Sequence, residues 1–133
     1  MSGAARKGEQ PMLKFDHVRL DVVDIERAQS FYQDALGLLP FVRYEIPAGV
    51  ILQMGINGLP PGVELWMEDG VQVSPHPTQH IAFSAENVVE VVEHIRRLGY
   101  EIFREPVQIG DEIVAFVRDP DGHIIEINDF KGR

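Results

Sequence analysis

Two stretches of this chain, residues 15–68 and 79–129, run through the same order of structural signals, and that repetition limits the fold more than any other feature. "FDHVRLDV" (15–22) alternates as a half-buried strand does. Asp24 then stands at a helix N-cap position. From about Glu26 to Leu36, Ala28, Phe31, Tyr32, Ala35 and Leu36 recur on one helical face, and Gly37 closes the segment. Three strand-like runs follow: "LPFVRYEI", "VILQMGI" and "VELWM". In the second stretch "HIAFSA" is a strand, and Asn87 with Glu90 forms a capping box. Val88, Val91, Val92, Ile95 and Leu98 make a helical stripe, and Gly99 ends it. "YEIFREPVQI", "EIVAFVRD" and "HIIEIND" supply three more strands, the last two joined by the turn "DPDG". His17 and His80 stand 63 residues apart, Asp24 and Asn87 63, Gly37 and Gly99 62, and Glu64 and Glu126 62. Four landmarks agreeing within one residue predict an internal duplication of a strand–helix–three-strand module.

The chain has 133 residues, enough for one sizeable core but short for two ordinary domains. We expect a flexible tail over 1–11 and one domain over 12–130. Module one covers about 12–70, a linker about 71–78, and module two about 79–130. There is no cysteine, which excludes disulfides, thiolate ligands and a cysteine nucleophile, and fits a cytoplasmic protein. A net charge of −9 without a basic stripe argues against nucleic acid and anionic membrane as partners. No apolar run approaches a membrane span, and the N-terminal stretch lacks the apolar region of a secretory signal.

Strand periodicity sorts the side chains into faces. In the first strand His17, Arg19 and Asp21 oppose Val18, Leu20 and Val22. In "VELWME" Glu64, Trp66 and Glu68 oppose Val63, Leu65 and Met67. In "HIAFS" His80, Ala82 and Ser84 oppose Ile81 and Phe83, and in "HIIEIN" Ile124, Glu126 and Asn128 oppose Ile125 and Ile127. The apolar faces suit helix packing. The opposite faces carry two histidines and two glutamates at repeat-equivalent places. A lone strand histidine or glutamate is ordinarily structural or solvent-facing. As matched pairs, His17, Glu64, His80 and Glu126 point to one divalent metal ion, with Zn, Ni, Co, Mn and Fe all compatible with imidazole and carboxylate ligands. His76 reads as an exposed linker residue, His94 as a helix-surface residue, and His123 as a turn residue facing solvent rather than a fifth ligand.

These stretches, and "FVRDPDGHIIEIND" above all, resemble the vicinal oxygen chelate superfamily, which includes glyoxalase I, epimerases, extradiol dioxygenases and the fosfomycin and bleomycin resistance proteins. The resemblance covers about residues 12 to 130. It implies an α+β fold in which two tandem βαβββ modules form a cupped mixed β-sheet around a central cavity, with helices on the outer face. It carries the metal-ligand places onto His17, Glu64, His80 and Glu126, a set most like that of glyoxalase I. The activity implied is a metal-dependent lyase or isomerase acting on a small oxygen-chelating substrate. Glu64 or Glu126 would be the base that moves a proton between carbons through an enediolate. Arg19, Asp21, Trp66, Glu68, Ser84 and Asn128 are the substrate-side candidates, Trp66 reading equally as packing. Asp21 and Glu68 stand where bacterial glyoxalase I usually carries Arg and Asn, which argues against an anionic glutathione moiety. The alternatives are an epimerase on another acid or thioester, a metal-free binding or resistance protein, and an extradiol dioxygenase. A homodimer is implied, with the site either within one chain or shared between two.

Overall fold

The computed structural model describes residues 8–131. Residues 1–7 of the expected tail lie outside the described residues, and 8–11 are exposed and form neither helix nor strand. The element order is β1 (His17–Asp21), α1 (Ile25–Ser30), β2 (Leu39–Ile46), β3 (Gly49–Gly55), β4 (Gly62–Glu68), β5 (His80–Ser84), α2 (Val88–Arg97), β6 (Ile102–Ile109), β7 (Glu112–Arg118) and β8 (Ile124–Asn128). The strands form two four-stranded mixed sheets, ordered β1-β4-β3-β2 and β5-β8-β7-β6. In each, the first strand runs parallel to the last and the other pairings are antiparallel.

The duplication is also one of register. His17 lies opposite Gly62, two residues before Glu64, and His80 lies opposite Ile124, two residues before Glu126. Both helices start alike: the side chain of Asp24 accepts from Arg27 N–H, and that of Asn87 from Glu90 N–H, each at 3.1 Å. Both segments end on glycines in the left-handed region, Gly37 (φ 75°) and Gly99 (φ 91°), which a Cβ would strain. The first helix departs from expectation in its second half. Phe31–Ala35 winds as a π-helix, although Phe31, Tyr32 and Ala35 still turn into the core.

One apolar core joins the helices and the inner sheet faces of both modules, with Leu65, Ile95 and Ile125 fully buried in it. Burying each such side chain favours folding by about 1.5–3 kcal/mol. Val88, Val92 and Ile95 of α2 enter this core, while Leu98 remains half-exposed. The β7–β8 turn fastens module two onto module one. Tyr32 Oη–H donates to buried Asp119 at 2.7 Å, and Val23 N–H and the Arg27 guanidinium both reach Asp121. His123, expected at the surface, is half-buried and its Nε2–H donates to the Asp21 carbonyl at 2.7 Å. His94 likewise crosses between helices, bonding the Asp34 carbonyl at 2.7 Å. Among the described residues no helix is long and apolar enough to cross a membrane.

Candidate metal and substrate site

Each sheet presents one histidine–glutamate pair on the face away from the helices. His17 Nε2 lies 3.3 Å from Glu64 Oε1, and His80 Nε2 lies 3.1 Å from Glu126 Oε1. The outer ring nitrogens are engaged in both cases. His80 Nδ1 faces the Thr78 carbonyl at 2.9 Å, and a carbonyl only accepts, so Nδ1 carries the proton. His17 Nδ1 faces the Asp16 carboxylate at 2.6 Å and is protonated for the same reason. A neutral ring then aims its Nε2 lone pair at a carboxylate oxygen. Two acceptors that close require a positive species between them, either a second ring proton or a metal ion. Orienting a ligand histidine through its other nitrogen is how metal sites are commonly supported. The donor set therefore fits a divalent metal.

The glutamates are supported differently. Both Glu64 oxygens are held: Gln53 Nε2 donates to Oε2 and Trp66 Nε1 to Oε1, each at 2.6 Å, and the residue is 8% exposed. Glu126 Oε2 accepts from Asn128 Nδ2 at 2.7 Å, and the Ser84 hydroxyl donates to Asn128 Oδ1 at 2.9 Å. Ser84 and Asn128, expected to face substrate, spend these polar atoms positioning Glu126. Gln53 was not anticipated, yet the signal existed, because it is the one polar side chain in the apolar run Val50–Met54. Phe116 was also missed; its ring meets His80 edge to face at 5.2 Å.

The two pairs remain apart. Among the described residues no group of three or more histidine, aspartate or glutamate side chains gathers as a metal site. The chain brings the four candidate ligands together two by two, one pair on each sheet.

Beyond the first pair, Arg19, Asp21, Trp66 and Glu68 form one cluster. The Arg19 guanidinium stacks over Trp66 at 3.9 Å and bonds Asp21 Oδ1 through Nε and Nη2 at 3.0 and 2.8 Å. It also reaches Glu68 at 3.3 Å. The Asp21 hydrogen bond, with a smaller share from Glu68, holds the guanidinium charge more firmly than usual despite partial desolvation. Arg19, Asp21 and His80 line a common cavity of about 620 Å³ between β1, β5 and the linker, with His76 and His123 also on its wall. His76 stays exposed, and its Nδ1 accepts from Thr78 and Gln79 N–H.

The model of the glyoxalase/bleomycin resistance protein/dioxygenase superfamily matches residues 14–127. The chain belongs to this superfamily. A lactoylglutathione lyase of Haemophilus influenzae is 34% identical over 119 residues, spanning 83% of this chain and 87% of that protein. A lactoylglutathione lyase of Arabidopsis thaliana is 33% identical over 122 residues, and there the chain spans only 43% of the relative's length. Among solved structures, the trypanothione-dependent glyoxalase I of Leishmania major superposes with a TM-score of 0.76 at 28% identity, covering 89% of this chain and 87% of the other. The two tandem modules and paired sheets are thus those of the glyoxalase fold.

Proposed function

We propose that this superfamily member is a glyoxalase I-like lyase acting on the hemithioacetal of a small oxoaldehyde and a thiol. The single observation that carries the reading is the repeated His–Glu pair, placed at the same register offset in both sheets. Similarity to lactoylglutathione lyases supports the reaction class. One divalent metal ion, of the Zn, Ni, Co, Mn or Fe type, would be held by His17, Glu64, His80 and Glu126. When bound, it would polarise adjacent substrate oxygens and acidify the C–H between them. A Glu64 or Glu126 carboxylate takes that proton and returns it to the neighbouring carbon. Gln53, Trp66 and Asn128 keep the carboxylates aimed.

The same reading includes a homodimer. Two half-sites on separate sheets of one chain call for a second copy, so that the His17–Glu64 pair of one meets the His80–Glu126 pair of the other. The cysteine-free composition supports a cytoplasmic setting. The test is turnover of methylglyoxal with glutathione, and with other thiols, by protein loaded with each metal in turn. Loss of turnover on chelation and recovery on metal return is the expected result. Turnover unaffected by chelation would contradict the reading.

A further inference from the structure

The two histidines of the candidate site are supported in different ways. In module one, His17 Nδ1 rests on the carboxylate of its neighbour Asp16 at 2.6 Å. The repeat offset of 63 residues puts neutral Gln79 at the place of Asp16, so His80 has no carboxylate in the equivalent position. A peptide group takes that role. The Thr78 carbonyl accepts from His80 Nδ1–H at 2.9 Å, and the N–H of the same peptide, that of Gln79, donates to His76 Nδ1, also at 2.9 Å. Thr78 N–H donates to the same nitrogen at 3.1 Å. The C=O and N–H of a trans peptide point in opposite directions, so whatever fixes the N–H also aims the carbonyl. A hydrogen bond at one end of the peptide polarises the other and makes the carbonyl a stronger acceptor.

That acceptor has a competitor. His80 Nε2 lies 3.1 Å from Glu126 Oε1, and a carboxylate draws a ring proton more strongly than an ordinary carbonyl does. A ring protonated at Nε2 alone would lose the lone pair that a metal ion needs at that atom. Holding a proton on Nδ1 favours Nε2 as the metal-binding nitrogen. The linker is anchored for this task. Pro75 lies so close to Gly122 of the β7–β8 turn that a Cβ at 122 would meet the Pro75 Cγ at 3.1 Å. Pro77 restricts the backbone of His76 from the other side. His76, Thr78, Gln79 and His80 all line the cavity of about 620 Å³.

Resting on the lyase reading's assignment of His80 as a ligand, we propose that His76 is a positioning residue for it. His76 fixes the tautomer and aim of His80 through the Thr78–Gln79 peptide.

Two variants of the full-length protein test this. His76→Phe keeps a ring but offers no acceptor. His76→Asn offers a side-chain oxygen to the N–H groups two and three residues on. His76 is exposed and outside any helix or strand, so both variants should match the wild type in urea unfolding. Ring nitrogen–proton NMR correlations of the metal-free protein report where the His80 protons sit. Nδ1 should be protonated in the wild type and in His76→Asn. In His76→Phe the ring should shift toward the form protonated at Nε2 alone, while the His17 signals stay unchanged. Affinity for Zn, read by competition with a chelating dye, should fall about tenfold in His76→Phe and stay within about threefold in His76→Asn. A His80 ring unchanged in His76→Phe overturns the proposal. So does an equal change in both variants, or a Zn affinity of His76→Phe within about threefold of the wild type. The lyase reading fails separately: a wild type that binds no divalent ion rejects it, and the NMR comparison on metal-free protein still decides the role of His76.

Discussion

Trp66 donates its indole Nε1–H to Glu64 Oε1 at 2.6 Å, two residues away on the same strand face. Gln53 holds the other oxygen, so Glu64 is fixed at both ends, while Glu126 is held by one amide and left the less restrained of the two. The repeat equates these glutamates in sequence; their neighbours separate them. Trp66→Phe keeps the ring but removes the N–H, and partners of this kind typically matter by 10–100-fold in metal affinity or activity. We expect metal affinity to fall by about tenfold or more with the fold intact, measured by competition with a chelating dye. An unchanged affinity would show the bond to be incidental.

The split of the ligands into two pairs gives a complementation experiment. His17→Ala and His80→Ala should each lose metal alone. Mixed and refolded together, they should regain one intact site in every mixed dimer, because the damage then falls on the other site. Elemental analysis of the mixture decides it. No recovery would place each site within a single chain.

If His17 and Glu126 both ligate the metal, replacing them together by alanine should leave the purified protein with almost none. Divalent metal content equal to wild type in that double variant would remove both residues from the ligand set.

Tyr32, in the π-helical turn that follows α1 of module one, is tied to buried Asp119 of module two. Tyr32→Phe leaves an oxygen of that carboxylate without its donor, a loss that costs about 1–3 kcal/mol. Urea unfolding should show a destabilisation in this range. A change near zero would mean that water replaces the hydroxyl.

Burial pushes the Asp119 carboxyl above its ordinary value of 3.8, although the Tyr32 hydroxyl and the His123 and Asp121 N–H groups pull the other way. A carboxyl raised in the folded state stabilises most when protonated, below 3.8, and that contribution is lost as pH rises through the raised value. Relative to Asp119→Asn, the wild type should therefore lose stability as pH climbs from below 3.8 toward neutrality. Paired urea titrations across that window check it. A difference that is flat or grows with pH contradicts the sign.

Much of this site was legible before any coordinates. Period-two alternation in β1, β4, β5 and β8 places His17, Glu64, His80 and Glu126 opposite the apolar residues, and the observed pairs lie on those faces. The caps at Asp24 and Asn87 were readable because capping is a matter of a few adjacent residues. The π-helical turn at Phe31–Ala35 was not, since an apolar stripe looks alike in either winding. His123 was misread as a surface group because its partner, the Asp21 carbonyl, lies 102 residues away. His94 is exposed as expected, and only its bond to the Asp34 carbonyl, 60 residues away, was not readable.

The sequence by itself determined the module, its repetition and the face on which each candidate ligand stands, because those depend on local periodicity and turn chemistry. Only the tertiary structure decided which charges meet. Arg19 and Glu68 are 49 positions apart and touch because β1 pairs in parallel with β4. That one register turns a positively charged residue into the centre of a net-negative cluster. The tertiary structure also decided that the four ligand candidates stand as two separate pairs, since hydrogen bonding closes each sheet on its own module.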